Sequence, residues 1–212
     1  MPTVKRLRAA KEGMFDICRL MLENCDDPNP SDDFGITPLH VAAAWGHHKI
    51  VELIISRLDN KNPASLDGIT PLHRAAEKGH YEICELIIGN VLDKNPRASG
   101  QLHISGLNYF NLNLGTRIGV RNVCGRYGRT PLHMAAKNGH LSICKLIIEN
   151  VQDKNPRDIH GRTPLHLAAF SGNYDICALI LANVEDKHPI DFAGVTPLHC
   201  AVSHGHAKVA KL

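Results

Sequence analysis

The stretch Thr163-Pro164-Leu165-His166 decides the fold, because the same four residues occur five times in this chain. The other copies begin at Thr37, Thr70, Thr130 and Thr196. Successive copies are therefore 33, 60, 33 and 33 residues apart. A motif that returns at a fixed period indicates a repeat protein, in which each copy folds into the same small unit.

The residues around this stretch, "DIHGRTPLHLAAFSGNYDICALILAN" at 158–183, predict one turn and two helices. Gly161 suits a turn that needs positive φ, Thr163 is a good N-cap, and Pro164 fits the first helical position. Gly172 ends the first helix, and Ile176, Cys177, Leu179 and Ile180 then form an apolar stripe at helical spacing. Neither helix is long enough to be stable alone, so each unit must bury its apolar face against a neighbour.

Cysteines and histidines recur at fixed positions of the repeat, which predicts structural roles for both. One position in the second helix is a cysteine in four copies and a valine in another: Cys18, Cys84, Cys144, Cys177 and Val51. A site that accepts either residue wants a small apolar side chain, so we expect packing cysteines rather than disulfides or zinc ligands. We expect each motif histidine to tie its own helix start to the adjacent unit, because its ring has two nitrogens.

The composition excludes several classes of function. A net charge of +3, with basic and acidic residues interspersed, is too weak to imply nucleic acid or an anionic membrane as partner. No secretory signal, membrane-length apolar run, phosphate loop, zinc-protease motif or nucleophile elbow occurs. The sequence therefore predicts an intracellular protein, cytoplasmic or nuclear, with no cofactor, no metal, no small-molecule ligand and no catalytic site.

The pattern "GxTPLHxAAxxGH" with a 33-residue period resembles the ankyrin repeat family, over nearly all of the chain outside residues 97–129. The resemblance implies an all-α solenoid of stacked helix-turn-helix units with β-turn fingers. It also implies a monomeric module that binds a protein partner through its finger tips and the concave face of its first helices. The family has no catalytic chemistry of its own.

Carrying the family's contact positions over gives two sets of candidate partner-binding residues. The helix-end set lies between each alanine pair and the next glycine, and includes Ala44, Trp45, Glu77, Lys78, Lys137, Asn138, Phe170, Ser171, Ser203 and His204. The finger-tip set includes Asp33, Phe34, Ile36, Leu66, Asp67, Ile69, Ile159, His160, Arg162, Phe192 and Val195. Trp45 and Phe170 are the strongest anchor candidates, because exposed aromatic side chains dominate binding hot spots.

The predicted organisation is one domain over residues 1–212. Its repeats span about 4–30, 31–63, 64–96, 124–156 and 157–189, with a partial repeat at 190–212. The first copy carries Arg6 in place of the motif leucine and fits an N-terminal cap, whereas the last stops inside its second helix. We therefore expect a segment of a longer protein. Two further functions stay open: a regulatory or substrate-recruiting arm of an enzyme or channel, and a structural spacer.

The step of 60 residues places 27 extra residues in one finger, within 97–129, where five arginines occur without Asp, Glu or Lys. Three interpretations remain open. The extra residues form a functional finger loop, with a small hairpin in "LHISGLNYFNLNLG" at 102–115; they are a decayed repeat; or they are a non-coding stretch translated by error.

Two sets of asparagines also recur. Asn24, Asn90, Asn150 and Asn183 end the second helices, and we expect them to adopt the left-handed conformation in which glycine usually ends a helix. The family resemblance marks Asn29, Asn62, Asn95 and Asn155 as positions that can be hydroxylated, with an ordinary structural role as the alternative.

Overall fold

The computed structural model describes residues 2–25, 27–94, 96–98 and 127–212. These residues form twelve α-helices and no β-strand. In chain order the helices are α1 (Pro2–Lys11), α2 (Phe15–Glu23), α3 (Pro38–Trp45), α4 (His48–Ile55), α5 (Pro71–Lys78), α6 (Tyr81–Ile88), α7 (Pro131–Asn138), α8 (Leu141–Asn150), α9 (Pro164–Phe170), α10 (Tyr174–Asn183), α11 (Pro197–Ser203) and α12 (Ala207–Ala210).

The helices pack in pairs, and the pairs stack in chain order. The odd-numbered helices, from α1 to α11, form one row of neighbours, and the even-numbered helices form a second row behind it. The extra 27 residues do not interrupt the stack, because α5 packs directly against α7. The predicted all-α solenoid of stacked helix-turn-helix units is confirmed.

Each motif copy begins its first helix as predicted. Thr37 caps α3 in an extended conformation, and Pro38 occupies the first helical position. The side chain of His40 completes a capping box, because its Nδ1 accepts the N–H of Thr37 at 3.2 Å. The same arrangement recurs at the start of α5, α7, α9 and α11. Gly46, at φ 79°, ends α3 in the left-handed region that other residues rarely adopt.

The core is a continuous layer of small and branched side chains between the two rows of helices. The alanine pairs of the first helices are buried, as are the isoleucines of the second helices. Cys18, Cys84, Cys144 and Cys177 lie in this layer as free cysteines, so their predicted packing role is confirmed. Burial raises the pKa of the Cys84 and Cys144 thiols to about 12, because the apolar layer disfavours the thiolate.

The prediction of left-handed asparagine caps was wrong for Asn24, which has φ −112°, and for Asn150 and Asn183, which are the last residues of α8 and α10. The asparagines cap through their side chains instead, because each Nδ2 donates to the carbonyl four residues earlier. These bonds join Asn24 to Leu20, Asn90 to Leu86, Asn150 to Leu146 and Asn183 to Leu179, at 2.8–2.9 Å.

Two residues of the second asparagine set tie a loop to the helix that follows its finger, whereas the buried Oδ1 of Asn155 makes no such bond. The side-chain Oδ1 of Asn29 accepts the N–H of Leu39 at 3.1 Å, and that of Asn62 accepts the N–H of Leu72 at 3.0 Å. Asn95 lies outside the described residues. Both described bonds give these asparagines a structural role, and their hydroxylation stays a prediction.

The fingers are tight turns that precede each motif, at residues 32–36, 65–69, 158–162 and 191–195. In each, the first residue donates its N–H to the carbonyl of the fifth, and the glycine at the fourth place bonds back to the first. Neighbouring fingers are joined as well, since the N–H of Leu66 donates to the carbonyl of Phe34 at 3.0 Å and that of Phe192 to His160 at 2.9 Å.

The finger that contains the extra residues keeps the same closing bonds. The N–H of Ala98 donates to the carbonyl of Arg129 at 2.9 Å, and the N–H of Gly128 donates to Ala98 at 3.1 Å. Ala98, Gly128 and Arg129 therefore stand at the first, fourth and fifth places of an ordinary finger. The extra length leaves the finger after Ala98 and rejoins it before Tyr127. The predicted hairpin at 102–115 lies outside the described residues.

Candidate protein-interaction surface

The finger tips present large apolar side chains to solvent. Phe34 is 72% exposed and Phe192 is 76% exposed, although both belong to residue types that usually lie inside. His160 is exposed on the finger next to that of Phe192, with its ring 5.3 Å from that of Tyr127. The backbone of each finger is hydrogen-bonded internally and to its neighbour, so the positions of the residues that carry these rings are fixed relative to one another.

The helix-end set lies at the C-terminal ends of the odd-numbered helices. Trp45 is 56% exposed, and the ammonium of Lys11 lies 5.1 Å from the centroid of its ring. Phe170 is 44% exposed and packs against the His204 ring at a centroid distance of 4.0 Å. Lys78 and Asn138 are exposed between these aromatic residues, and Lys137 is half-buried.

Three of the predicted contact residues are partly or wholly engaged inside the protein. Ile69 is buried, with only 2% of its surface exposed, so its assignment to a finger tip was wrong. The reason is its place after the finger glycine, where the side chain enters the layer between units. Glu77 is mostly covered and pairs with Arg74 at 3.3 Å. Arg162 is held by Asp158, with 3.3 Å between Nε and Oδ2.

Asp158 is the polar centre of its finger. Its side chain is completely buried, and its Oδ1 accepts the N–H groups of His160 and Arg162 at 2.9 and 3.0 Å. The Oδ2 atom faces two guanidinium groups, with Arg129 Nε at 3.6 Å and Arg162 Nε at 3.3 Å. This cluster fixes the tip that carries His160, and it leaves Arg162 less accessible than its position in the sequence suggests.

The motif histidines tie successive units together, as predicted. The Nδ1 of His40 accepts the N–H of Thr37, so its Nε2 carries the proton and donates to the carbonyl of Ile69 at 2.9 Å in the next finger. His73 reaches Arg129, His133 reaches Arg162 and His166 reaches Val195 in the same way. Burial lowers the pKa of His40, His73 and His133 to about 4, so all three rings are neutral at pH 7.

A second set of histidines, after the helix-ending glycines, holds the helix-end set in place. The ring of His80 lies against Gly46, where a Cβ would approach it to 2.7 Å, and its Nε2 donates to the carbonyl of Ala44 at 3.1 Å. His140 bonds to Glu77 and His206 bonds to Phe170 in the same manner, both at 3.0 Å. The sequence shows these histidines only as a recurring Gly-His pair, which does not reveal that they support the candidate contact residues.

Within the described ranges, no group of three or more His, Cys, Asp or Glu side chains could hold a metal ion. Among the twelve described helices, none has the length and apolar character that crossing a bilayer requires.

A comparison with protein families agrees with this architecture. A family model described as "Ankyrin repeats (3 copies)" matches residues 7–98, 102–191 and 161–212. The matches together cover nearly the whole chain, including the range around the extra residues.

Proposed function

The chain belongs to the ankyrin repeat family, whose members are in general protein–protein interaction modules, and we propose that it binds a partner protein through its finger tips and the concave face formed by its helix-end set. The observation that carries this proposal is the exposure of Trp45, Phe170, Phe34 and Phe192 on a rigid framework. Aromatic side chains that are already ordered bind a partner at little cost in conformational entropy.

The spacing of the two helix-end aromatics bounds the partner. Trp45 ends α3 and Phe170 ends α9, which lie three helix spacings apart in the first row. At about 8–10 Å for each spacing, a partner that contacts both must span about 24–30 Å. An extended peptide of about eight residues, or the face of a small domain, meets this requirement.

The surface between the two aromatic side chains is polar and positively charged, because it carries Lys78, Lys137 and Asn138. A partner with apolar groups at its two ends and acceptor groups at its centre would match this surface. We further propose that the protein acts inside the cell as a monomer, without cofactor or catalysis. Its free, buried cysteines are typical of a reducing compartment.

The proposal is tested with the immobilised chain and a lysate of the organism that encodes it. Proteins retained by the parent chain are quantified by mass spectrometry and compared with those retained by a Trp45→Ala/Phe170→Ala double variant. Because both side chains are largely exposed, we expect an unchanged helical circular-dichroism melt and loss of most of the specific capture.

The matched control is a Leu141→Ala/Tyr174→Ala double variant. These residues are 41% and 43% exposed, but they begin the second helices α8 and α10 rather than end the first helices. Capture that survives in the control and is lost in the first variant supports the proposed face. Equal capture by both variants would exclude it.

A further inference from the structure

Two junctions between successive fingers carry an arginine and an aspartate at matching places. The arginine is the fifth residue of one finger, and the aspartate is the first residue of the next. The two pairs are Arg129 with Asp158 and Arg162 with Asp191. At the other described junctions the same places hold uncharged residues, which are Ile36 with Ser65 and Ile69 with Ala98.

Both arginines turn towards the same carboxylate. The Oδ2 of Asp158 lies 3.6 Å from the Nε of Arg129, across the junction, and 3.3 Å from the Nε of Arg162, within its own finger. Asp158 is completely buried whereas Asp191 is partly exposed, so solvent screens an ion pair with Asp158 less. Arg162 therefore pairs within its own finger and not with Asp191, although the structure describes both side chains.

The junction between Arg162 and Asp191 consequently holds an open acceptor and open donors. The Oδ1 of Asp191 accepts the N–H groups of Ala193 and Val195 at 2.9 and 2.8 Å, and among the described residues none bonds to its Oδ2. The terminal nitrogens of Arg162 likewise donate no hydrogen bond to a described residue. Both side chains line one cleft of about 430 Å³, which we call the finger cleft.

Apolar and aromatic side chains flank the finger cleft. Ile159 is 51% exposed and Phe192 is 76% exposed, and both line it. The ring of Phe192 lies over Gly161, where a Cβ would approach it to 2.7 Å. His160 is a further lining residue. A ligand group that enters between the charges is therefore surrounded by apolar surface, which strengthens its hydrogen bonds by excluding water.

The charges around the finger cleft favour a neutral ligand group. The guanidinium groups of Arg129 and Arg162 and the carboxylates of Asp158 and Asp191 balance one another. A carboxylate ligand would be repelled by Asp191, and a cationic ligand would be repelled by Arg162. A side-chain carboxamide has an acceptor oxygen and two N–H donors, so it can accept from Arg162 and donate to Asp191 at once. Hydrogen bonds to charged groups are the stronger kind, which favours a carboxamide over an apolar group.

We propose that the finger cleft binds the side-chain carboxamide of a glutamine or asparagine in a partner protein, with an apolar residue beside it that contacts Phe192. This inference deepens the function proposed above and rests on it for the claim that the ligand belongs to a protein. The recognition of a carboxamide follows from the cleft itself and is tested separately.

The test uses the full chain labelled with ¹⁵N and four acetylated, amidated tripeptides in which a central residue stands between two leucines. The central residue is glutamine, glutamate, lysine or methionine, so the peptides share their backbone and apolar neighbours. Amide chemical shifts are recorded at increasing peptide concentration. We expect saturable shifts at His160, Arg162 and Ala193, with the glutamine peptide binding about fivefold more tightly than the other three. Its affinity should change little with added salt, because the peptide is neutral.

One substitution should exchange the specificity of the finger cleft. Asp191→Asn replaces the open carboxylate oxygen with a donor, and the turn survives because the amide oxygen accepts the same two N–H groups. The cleft then presents donors and a net positive charge, so this variant should bind the glutamate peptide about fivefold more tightly than the glutamine peptide. Asp32→Asn is the matched control and leaves all four affinities unchanged, since Asp32 makes the same turn with Phe34 and Ile36 in another finger.

Absence of saturable shifts, equal affinity for the glutamine and methionine peptides, or an unchanged preference in the Asp191→Asn variant would each overturn the proposal. The Trp45→Ala/Phe170→Ala variant is titrated in parallel and keeps the preference for glutamine. Lysate capture that fails while the glutamine peptide binds counts against the function proposed above. Capture that succeeds while the peptides do not bind counts against the finger cleft alone.

Discussion

Acidification is expected to destabilise this protein through the three buried motif histidines, His40, His73 and His133. Burial lowers the pKa of each from 6.5 to about 4, so the folded state disfavours the protonated ring. The unfolded chain takes up these protons near pH 6.5 and the folded chain only near pH 4. The contribution of each ring to stability is therefore complete above about pH 6.5 and is lost progressively as the pH falls towards 4.

The size of the effect follows from these pKa values. At pH 5 a histidine with a pKa of about 6.5 in the unfolded chain is almost fully protonated, whereas the buried ring is still mostly neutral. The difference is about 2 kcal/mol for each histidine relative to pH 8, or about 6 kcal/mol for three. A typical domain has a total stability of about 5–15 kcal/mol, so this loss is a large part of the whole.

The assay is urea unfolding followed by circular dichroism at pH 8 and at pH 5, for the parent chain and a His73→Gln variant. His73 is completely buried, and its Nε2 bonds to the carbonyl of Arg129 at 3.0 Å. We expect the variant to be less stable at pH 8 by about 1–3 kcal/mol, because buried hydrogen bonds are lost. Its further loss on going to pH 5 should be smaller than that of the parent by about 2 kcal/mol.

His199→Gln is the matched control, because His199 makes the same capping contact with Thr196 but its ring is exposed. This variant should keep the pH dependence of the parent. If His73→Gln and His199→Gln lose the same stability between pH 8 and pH 5, burial of the motif ring does not govern its protonation, and the reasoning fails.

Two further predictions concern packing between and within units, and both are read from urea unfolding at pH 8. Gly79→Ala should cost about 2–4 kcal/mol, because φ is +83° and the new Cβ would lie 2.6 Å from the His140 ring. Gly205→Ala, at φ +74° with no atom within 4 Å, should cost only about 1 kcal/mol, and equal costs would exclude a contribution from the ring contact. Cys84→Val should change stability by less than about 1.5 kcal/mol, since Val51 occupies the same position in another unit, whereas Cys84→Ser should cost about 1–3 kcal/mol. A serine variant as stable as the valine variant would show that this position does not require an apolar side chain.

The helices and their starts could be predicted from the sequence because local chemistry decides them. A threonine before a proline, followed three residues later by histidine, satisfies the first N–H groups of a helix wherever it occurs. Because each 33-residue unit must bury its apolar helix faces, equivalent faces of successive units meet. The stacking of the units could therefore be predicted from the sequence repeat. The packing role of Cys84 was readable for the same reason, since Val51 marks that site as apolar.

The error at the helix ends arises because one residue type can satisfy the backbone in two ways. An asparagine such as Asn24 can end a helix by taking a left-handed conformation or by donating a side-chain hydrogen bond to the preceding turn. The sequence does not distinguish these two kinds of cap. The burial of Ile69 and the pairing of Arg162 with Asp158 depend on how one finger lies against the next.

The closing bonds of the interrupted finger have a consequence for how such a chain can change over evolutionary time. Because Ala98 still bonds to Gly128 and Arg129, the ends of the extra segment are held as close together as in an uninterrupted turn. By the loop-closure relation, a connection longer by 27 residues costs at most about 2 kcal/mol more to close. The finger tip is thus a site where residues can be inserted, replaced or deleted while the neighbouring units keep their packing. A reporter or a binding peptide could be grafted at the same site without redesign of the scaffold.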